Sequence, residues 1–398
     1  MKLPVYMDYH ATTPVDPRVL DAMLPYFTGT FGNPASRQHR FGWEAEAAVE
    51  SGRSLIARAL GAEPREIIFT SGSTESNNLA IKGVAQSLRQ KGGHVVTVQT
   101  EHHSVLDACR RLEKLGMTVT YLPVDANGKI DLDRFRDAIG PETILVSVMC
   151  ANNEIGTIQD LVSIGRIARE KDVVFHTDAT QAVGALPINV DTMNIDLLSF
   201  TGHKIYGPKG SGALYVRSKD RRVHLVPQVD GGGHERGLRS GTLNVPGIVG
   251  LARALELSTG SLDEENRRIS SLRDAMHRTL TSRLDGVALN GHPSDRLPNN
   301  LNVSFEGVED SALMMSMKDI AVSTGSACST ANPEPSHVLK ALHLPPERLH
   351  SSIRFGLGRF TTAEETEYVT GRVIDTVQKL RTAFPARSAK SSRAVPAS

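Results

Sequence analysis

The chain has 398 residues, of which 39% are hydrophobic and 22% are charged, as in an ordinary globular protein with one large α/β domain and a smaller one. Its formal net charge of +1 lacks the basic excess that is typical of nucleic-acid binding. The first residues contain no apolar signal-peptide core, and no apolar run approaches the ~20 residues needed to cross a bilayer. We therefore predict a cytoplasmic protein without nucleic-acid or membrane partners.

The three cysteines are too few and too widely spaced for a disulfide framework or a CxxC zinc site. We interpret Cys109 and Cys150 as small buried hydrophobic residues, the usual state of an isolated cysteine. Cys328 instead lies in a run of Ser, Thr, Gly and Ala (residues 323–332), which is typical of an exposed loop. This composition favours an accessible, reactive thiol at Cys328.

Short apolar runs alternate with helical stretches between about residues 60 and 220, which predicts a mostly parallel seven-stranded sheet. Both faces of such strands are covered, so their sequences are continuously apolar. The seven runs are Ile67–Thr70, Val95–Val98, Val119–Leu122, Ile144–Met149, Val173–Thr177, Leu197–Phe200 and Ala213–Val216.

The pattern changes in the last third of the chain. Apolar residues recur there at steps of three and four, which predicts one long amphipathic helix; they are Ile269, Leu272, Met276, Leu280 and Leu284. Probable strand sequences follow at Leu301–Phe305 and Ala321–Ser323. We predict a large domain (1–245) whose N-terminal segment also contacts the second domain, a smaller α+β C-terminal domain (246–386) and a disordered tail (387–398).

Polar residues follow five of the predicted strands, where an open α/β sheet binds its ligand. These five segments are Ser71–Glu75, Glu101–His103, Asn152–Glu154, Asp178–Gln181 and Thr201–Lys204. Together they bring hydroxyls, a histidine, amides, a carboxylate and a lysine to one cleft.

Residues 71–75 form a strand-to-helix turn whose free N–H groups suit a phosphate, although a plain N-cap has the same sequence. The chain has no GxGxxG after a strand and no GxxxxGK[ST], which argues against a dinucleotide or a nucleoside triphosphate. Asp178 alone would be interpreted as a structural carboxylate, and Lys204 alone as a surface lysine. Combined with a phosphate loop, they match pyridoxal phosphate, which needs a lysine for attachment and a carboxylate for its pyridine nitrogen.

The segment after the second predicted strand supplies a histidine, His102 or His103. Either ring can stack on a cofactor and exchange protons near neutral pH. An isolated histidine is more often structural, but its position at a strand end favours the functional interpretation.

Ten ordered motifs resemble the cysteine desulfurases of the class V aminotransferase group, in the NifS/IscS-like branch, from Tyr6 to about Thr362. They are ATTPVDPR (11–18), FGNPASRQHRFG (31–42), TSGSTESNNLAIKG (70–83), TEHHSVLD (100–107), NNEIGTIQD (152–160), DATQAVG (178–184), TGHKIYGPKG (201–210), GGGHERGLRSGT (231–242), STGSACST (323–330) and SSIRFGLGRF (351–360). The resemblance implies a fold-type-I aminotransferase architecture and pyridoxal phosphate as cofactor.

The resemblance also implies individual roles at the cofactor. Lys204 would carry it, Asp178 would pair with its pyridinium nitrogen, and His102 would stack on it and shuttle protons. The remaining implied cofactor contacts are Ser73, Thr74, Asn153, Gln181, Thr201, His203 and, in the neighbouring subunit of a homodimer, Thr242.

For the substrate, the resemblance implies that Arg354 grips the carboxylate of L-cysteine, with Asn33 and Asn153 close by; a guanidinium fork suits that group. Cys328, as a thiolate, would take the sulfur as a persulfide and leave alanine. The expected acceptors include an iron–sulfur scaffold protein, and Cys328 would be a transient iron–sulfur ligand through its persulfide.

Two features depart from or vary within the family pattern. Thr201 stands where many relatives have Ser, which keeps the hydroxyl, and we assign no role to His10.

Two enzymes of the same fold remain as alternatives: a class V aminotransferase, which needs no loop cysteine, and a selenocysteine lyase, which the sequence leaves open. A binding module with inactive chemistry conflicts with the competent residue at every expected catalytic position.

Overall fold

A computed structural model describes residues 2–324 and 335–383. The strands are β1 Val5–Tyr6, β2 Ile67–Thr70, β3 His94–Val98, β4 Thr118–Leu122, β5 Thr143–Ser147, β6 Val174–Asp178, β7 Leu197–Thr201, β8 Gly212–Val216, β9 Val287–Leu289, β10 Asn300–Phe305, β11 Ile320–Ala321 and β12 Ser352–Gly356. The α-helices are α1 Pro17–Met23, α2 Pro25–Thr28, α3 Arg40–Leu60, α4 Ser73–Ser87, α5 His103–Glu113, α6 Leu132–Ala138, α7 Leu161–Glu170, α8 Val245–Gly260, α9 Leu262–Arg283, α10 Asp310–Ser316, α11 His337–Ala341, α12 Pro346–Leu349 and α13 Ala363–Ala383. Short 3-10 helices span Pro64–Glu66, Gly202–Lys204 and Glu235–Gly237.

The predicted seven-stranded sheet is confirmed, with strand order β2-β8-β7-β6-β5-β3-β4. All neighbouring pairs are parallel except those of β8, which runs antiparallel to β2 and β7. Every residue of β2, β5, β6, β7 and β8 is buried, as their continuously apolar sequences predict. The carboxyl ends of β2, β3, β5, β6 and β7 therefore meet at the same edge.

A second hydrophobic cluster forms around the antiparallel sheet β12-β10-β9 and helices α9 and α13. The predicted amphipathic helix is α9, which buries Ile269, Met276 and Leu280. β1 pairs in parallel with β11, so Val5 and Met7 join this second cluster although they begin the chain. The first residues of the chain thus lie in the second cluster. Helix α1 instead packs on the first cluster, the hydrophobic core formed by the large sheet and the helices around it.

Helix α8 lies just beyond the predicted domain boundary at residue 245 but packs with the first cluster. Ile248, Leu251 and Leu255 are buried against helices α1 and α3 there. The boundary stays a prediction, and the packing places α8 with the large sheet.

The predicted tail 387–398 lies outside the described residues. No helix within residues 2–324 and 335–383 has the length and apolar character needed to cross a membrane.

A buried ion pair attaches the loop at residues 231–242 to the first cluster. The guanidinium of Arg53 on α3 donates to both carboxylate oxygens of Glu235, at 2.7 and 2.8 Å, and both side chains are almost fully buried. Glu235 also accepts from the backbone N–H of Phe69 at 2.7 Å, and Arg53 donates to the carbonyl of Ile67. Because no water screens these charges, the pair fixes the loop beside β2.

Removing Glu235 leaves the buried Arg53 with the half-exposed Glu50 as its remaining ion-pair partner, which costs more than losing a surface ion pair. We expect Glu235→Ala to lower the free energy of unfolding by about 3–5 kcal/mol. The matched control is Asp107→Ala, which breaks the exposed ion pair with Arg110 and should cost less than about 1 kcal/mol. Urea unfolding measures both; similar losses in the two variants would contradict the assigned role.

Candidate active site

The carboxyl edge of the large sheet brings together most of the residues selected from the sequence. Asp178 ends β6, and His102, at the N-cap of α5, follows β3. Lys204 lies in the 3-10 turn after β7, and Ser73 begins α4 after β2. Their common location follows from the parallel strand directions.

The carboxylate of Asp178 is buried and held from two sides. Its Oδ2 accepts from Asn77 Nδ2 at 2.8 Å, and its Oδ1 accepts from the backbone N–H of Thr180 at 2.9 Å. Asn77 also donates to Ser104 Oγ at 2.9 Å, which links the carboxylate to the start of α5. The sequence analysis missed Asn77, because its contact with Asp178 arises only when α4 packs on the sheet.

His102 caps helix α5 with its own ring. The backbone N–H of Ser104 donates to Nδ1 at 3.1 Å, so a neutral ring carries its proton on Nε2. Burial lowers the pKa of His102; the nearby Asp178 opposes this shift, and Lys204 adds to it. The ring is therefore neutral at neutral pH, with Nε2 left for an exchangeable proton.

Lys204 is held by the N-terminal segment. Its Nζ donates to the carbonyl of Ala11 at 2.7 Å and also to the carbonyl of His10. The neighbouring His203 ring faces Thr12 Oγ1 at 3.1 Å. Burial lowers the pKa of His203 to about 4, helped by the charges of Lys204 and Lys209. At neutral pH, His203 is therefore an uncharged hydrogen-bonding group beside a cationic lysine.

The turn into α4 has the properties of an anion cradle. Gly72 has φ 152°, a conformation that L side chains rarely adopt, and a Cβ there would lie 3.5 Å from Thr201 Oγ1. Ser73 Oγ accepts from Thr180 Oγ1 at 2.6 Å, while Thr74 is exposed. The first-turn N–H groups of a helix lack intrahelical partners. Hydroxyls and N–H groups without a competing free carboxylate suit a phosphate.

Glu75 would be that competing carboxylate, but its oxygens are already engaged. Oε2 accepts from the backbone and hydroxyl of Ser71, and Oε1 accepts from Arg239 Nε at 2.8 Å. These contacts lower the pKa of Glu75 against the opposing effect of burial. The pairing with Arg239 offsets its negative charge next to the cradle.

The structure shows contacts for His10, to which the sequence analysis gave no role. Its ring is fully buried, with Nδ1 2.9 Å from Gln181 Oε1 and Nε2 3.2 Å from the carbonyl of Asn299. Gln181 Nε2 donates to the backbone carbonyl of His10 at 3.1 Å. Burial lowers the pKa of His10 to about 3, and the charges of Arg354 and Lys204 act in the same direction. A neutral His10 thus orients the amide of Gln181.

Arg354 lies on β12 and reaches across to the edge of the large sheet. Its Nη2 donates to Asp8 Oδ1 at 2.7 Å, and its Nη1 donates to the carbonyl of Asn153 at 3.0 Å. Its Nε is buried without a partner among the described residues. A carboxylate ligand would satisfy such a donor.

The remaining predicted residues have less specific surroundings. Asn33 is exposed and accepts from the backbone N–H of Ala35 at 2.9 Å; no hydrogen bond joins it to Arg354 within residues 2–324 and 335–383. Thr242 is exposed, before α8. Cys328, with its predicted iron–sulfur ligation, lies outside the described residues. Cys109 and Cys150 are buried, as predicted, and burial raises the pKa of each thiol to about 12.

Glu101 is a buried carboxyl that the sequence analysis did not single out. It accepts from the backbone N–H of Met149, and its Oε2 has no partner among the described residues. Burial raises its pKa well above the ordinary value, and the charge of Asp178 contributes in the same direction. The side chain therefore keeps its proton to a higher pH in the folded protein than in the unfolded chain.

This raised pKa makes folding stability fall as pH rises, because above about pH 4.5 the unfolded chain loses a proton that the folded chain keeps. Glu101→Gln removes this dependence. We expect its melting temperature, relative to wild type, to be higher at pH 8 than at pH 5. Glu142→Gln, at an exposed position, is the control for lost charge. A pH-independent difference for Glu101→Gln would show that Glu101 is ionised in the folded state.

Comparison with known proteins gives consistent matches. The family described as aminotransferase class-V matches residues 5–369. The cysteine desulfurase IscS of Anaeromyxobacter sp. (strain K) is 55% identical over 385 residues, covering 97% of this chain and 95% of the relative. A solved structure described as a NifS-like protein has a TM-score of 0.88 at 37% identity, covering 94% of this chain and 99% of that one. Another, described as SspA in complex with cysteine, has a TM-score of 0.79 at 39% identity, covering 90% and 100%.

Proposed function

The chain belongs to the class V aminotransferase family, and from this premise we propose how its residues carry out the desulfuration of L-cysteine. It is a pyridoxal-phosphate-dependent cysteine desulfurase. The observation that carries the residue assignment is the meeting of Lys204, the buried Asp178 carboxylate and the N-terminus of α4 at one sheet edge. Lysine, carboxylate and anion cradle are the three groups that this cofactor requires.

When bound, pyridoxal phosphate supplies an electron sink for the pair left at the substrate Cα. Asp178 would hold a proton at the ring nitrogen, and its two hydrogen-bond donors keep the carboxylate oriented. Gln181, oriented by His10, would donate to the ring hydroxyl, while Ser73, Thr74, Thr201 and His203 would bind the phosphate. The neighbouring subunit would add Thr242, and Asn153 would contact the cofactor from the loop between β5 and α7.

Lys204 would attach the cofactor and then move the α-proton through Nζ. The carbonyls of His10 and Ala11 accept from Nζ and fix its position. His102 would stack on the cofactor and exchange a proton at Nε2, because its Nδ1 is occupied by the helix cap.

Arg354 would bind the substrate carboxylate through donors that include the buried Nε. Asp8 and the carbonyl of Asn153 hold the guanidinium on its other side, so the group is oriented before substrate arrives. Preorganisation of this kind removes the entropic cost of ordering a long side chain during binding. Asn33 would complete the carboxylate contacts.

Cys328 would carry out the sulfur transfer as a thiolate. Its Sγ forms a bond to the substrate sulfur while the substrate Cβ–S bond breaks and leaves its electron pair on carbon. That carbon takes up a proton and the product leaves as alanine. The sulfur atom becomes the outer atom of a persulfide on Cys328, so no external oxidant or reductant is needed.

Delivery of this sulfur to an iron–sulfur scaffold protein and other acceptors, with transient cluster ligation by Cys328, completes the proposed function in the cytoplasm. A homodimer is supported by exposed apolar side chains within residues 24–43, where the rings of Phe31 and Phe41 lie 5.4 Å apart. They are Leu24, Phe27, Phe31, Phe41 and Trp43. Exposed apolar clusters of this kind mark protein interfaces. Dimerisation would bring Thr242 to the partner's phosphate.

The assignment of Cys328 is tested with L-cysteine and a thiol reductant, by quantifying alanine and sulfide together. We expect wild type to give equal amounts and Cys328→Ser to give neither. Cys150→Ala, which alters a buried thiol, should keep both products. Alanine formation or sulfide release that survives Cys328→Ser would indicate a lyase or transaminase route instead; turnover of L-selenocysteine by that variant would favour a selenocysteine lyase.

The assignment of Lys204 is tested by absorbance and turnover. Lys204→Ala removes the attachment point, so the visible band of the attached cofactor should disappear and turnover should fall roughly 100- to 10,000-fold. The exposed Lys209 provides the control, and Lys209→Ala should keep the band. An unchanged spectrum in Lys204→Ala would mean that another lysine carries the cofactor.

A further inference from the structure

Residues 325–334, called here the Cys328 segment, lie outside the described residues, but both chain ends that flank it are described. On the N-terminal side, Ser323 forms an antiparallel bridge with Arg354, whose backbone N–H donates to the Ser323 carbonyl at 2.8 Å. On the C-terminal side, Ser336 donates from Oγ to Glu154 Oε2 at 2.7 Å. The two flanks are thus attached to Arg354 and Glu154, whose charges interact.

The hydroxyl of Ser336 donates one hydrogen bond and accepts two. It caps the short helix α11 by accepting from the backbone N–H groups of Val338 at 3.1 Å and Leu339 at 3.2 Å. Its single proton goes to Glu154. Because the cap fixes the acceptor side of the hydroxyl, the bond to Glu154 fixes where this flank of the Cys328 segment lies.

Glu154 is itself held rigidly. Its backbone carbonyl accepts from the side chains of Asn300 and Asn302 on β10, each at 3.1 Å, and its backbone N–H donates to Asn152 at 2.8 Å. Asn302 is the cross-strand partner of Arg354. Since Arg354 also donates to the carbonyl of Asn153, Glu154 and the guanidinium keep a fixed separation.

A carboxyl is a costly choice for this position. Glu154 is 2% exposed, and its second oxygen, Oε1, has no partner among the described residues. A buried carboxyl with an unsatisfied oxygen destabilises a fold relative to an apolar side chain of similar size. Neither packing nor stability explains its presence, whereas a requirement for a strong acceptor at Ser336 does.

We propose that Glu154 is a positioning residue for sulfur transfer: through Ser336 it fixes the flank of the Cys328 segment at a set distance from Arg354 and hence from the substrate carboxylate. The inference rests on the roles proposed above for Cys328 and Arg354. The proposed role concerns only one of two partial reactions. Removal of the α-proton needs only the cofactor site and Arg354. Formation of the persulfide needs, in addition, the thiol at the correct place.

The ionisation state of Glu154 supports this role. Burial raises its pKa to about 7, while the hydrogen bond from Ser336 and the charge of Arg354 oppose that rise. The side chains that contact Glu154 from β10, Asn300 and Asn302, are neutral amides bound to its backbone carbonyl, and Arg354 is the charged group that acts on its carboxyl. As pH falls through 7, the carboxylate is protonated and becomes a weaker acceptor for Ser336.

The test measures two partial reactions in the full-length holoenzyme. Exchange of the α-proton of L-alanine with deuterated solvent reports the cofactor site and Arg354. Single-turnover formation of the Cys328 persulfide from L-cysteine, followed by mass spectrometry, reports sulfur transfer. We expect Glu154→Ala to slow persulfide formation at least tenfold and to change α-proton exchange less than threefold.

Variants of Ser336 test the same link where Glu154→Ala fails to fold. Ser336→Gly, a residue that helix N-caps tolerate, has no hydroxyl to donate to Glu154, so it should slow persulfide formation as strongly as Glu154→Ala. Ser336→Thr keeps the hydroxyl and should restore the wild-type rate to within about threefold. In Glu154→Gln, which does not ionise, the loss of persulfide rate between pH 8 and pH 6 should be smaller than in wild type.

A parallel fall of both partial reactions in Glu154→Ala and Ser336→Gly would assign Glu154 a purely structural role and overturn the inference. Normal persulfide formation in Ser336→Gly would do the same. These outcomes differ from failure of the proposed function itself. That failure would appear in wild type, as alanine exchange without any persulfide at Cys328.

Discussion

The N-terminal segment, residues 8–13, connects the two halves of the molecule at the site where the chemistry is proposed to occur. Asp8 forms an ion pair with Arg354 on β12. The carbonyls of His10 and Ala11 accept from Lys204, and the ring of His10 faces Gln181. These contacts join the second hydrophobic cluster to the strand ends β6 and β7 of the large sheet. Together with the hydrogen bond from Arg354 to the carbonyl of Asn153, they set the position of Arg354 relative to Lys204.

The segment is held at both ends: it continues from a β-strand pair on its N-terminal side and is hydrogen-bonded to the turn after β7 on its C-terminal side. β1 pairs with β11, and Asp8 bridges to Gly356 at the end of β12. Thr13 then donates to the carbonyl of His203 from both its backbone N–H and its hydroxyl. A segment held at both ends gives its carbonyl groups fixed positions, so they can orient a lysine that must also react.

Burial sets the charge distribution at the site. His10, His102 and His203 all have lowered pKa values, with burial as the largest cause. They are therefore neutral at physiological pH, and the positive charge near the cleft belongs to Lys204 and Arg354. A cleft with two cations and neutral histidines favours an anionic cofactor and a substrate carboxylate, and it leaves the neutral rings available for directional hydrogen bonds.

Burial shifts the pKa of two carboxyl groups, Glu101 and Glu154, in the opposite direction. Both are buried near strand ends β3 and β5, and burial raises the pKa of each. Glu101 accepts from the backbone of Met149, whereas Glu154 accepts from Ser336 beside the Cys328 segment. Through Asn153 and Glu154, the second contact connects the Arg354 guanidinium to Ser336, on the C-terminal flank of the Cys328 segment.

The sequence by itself determined the sheet, the long amphipathic helix α9 and the polar residues at the strand ends, because these depend on local apolar periodicity and chain order. It also indicated Lys204, Asp178 and the phosphate turn through their residue types. It could not show Asn77 behind Asp178, His10 behind Gln181 or Glu154 behind Ser336. Each of those contacts joins residues between about 100 and 180 positions apart. Only tertiary packing brings them together, because a hydrogen bond requires an approach within about 3 Å that no local pattern encodes.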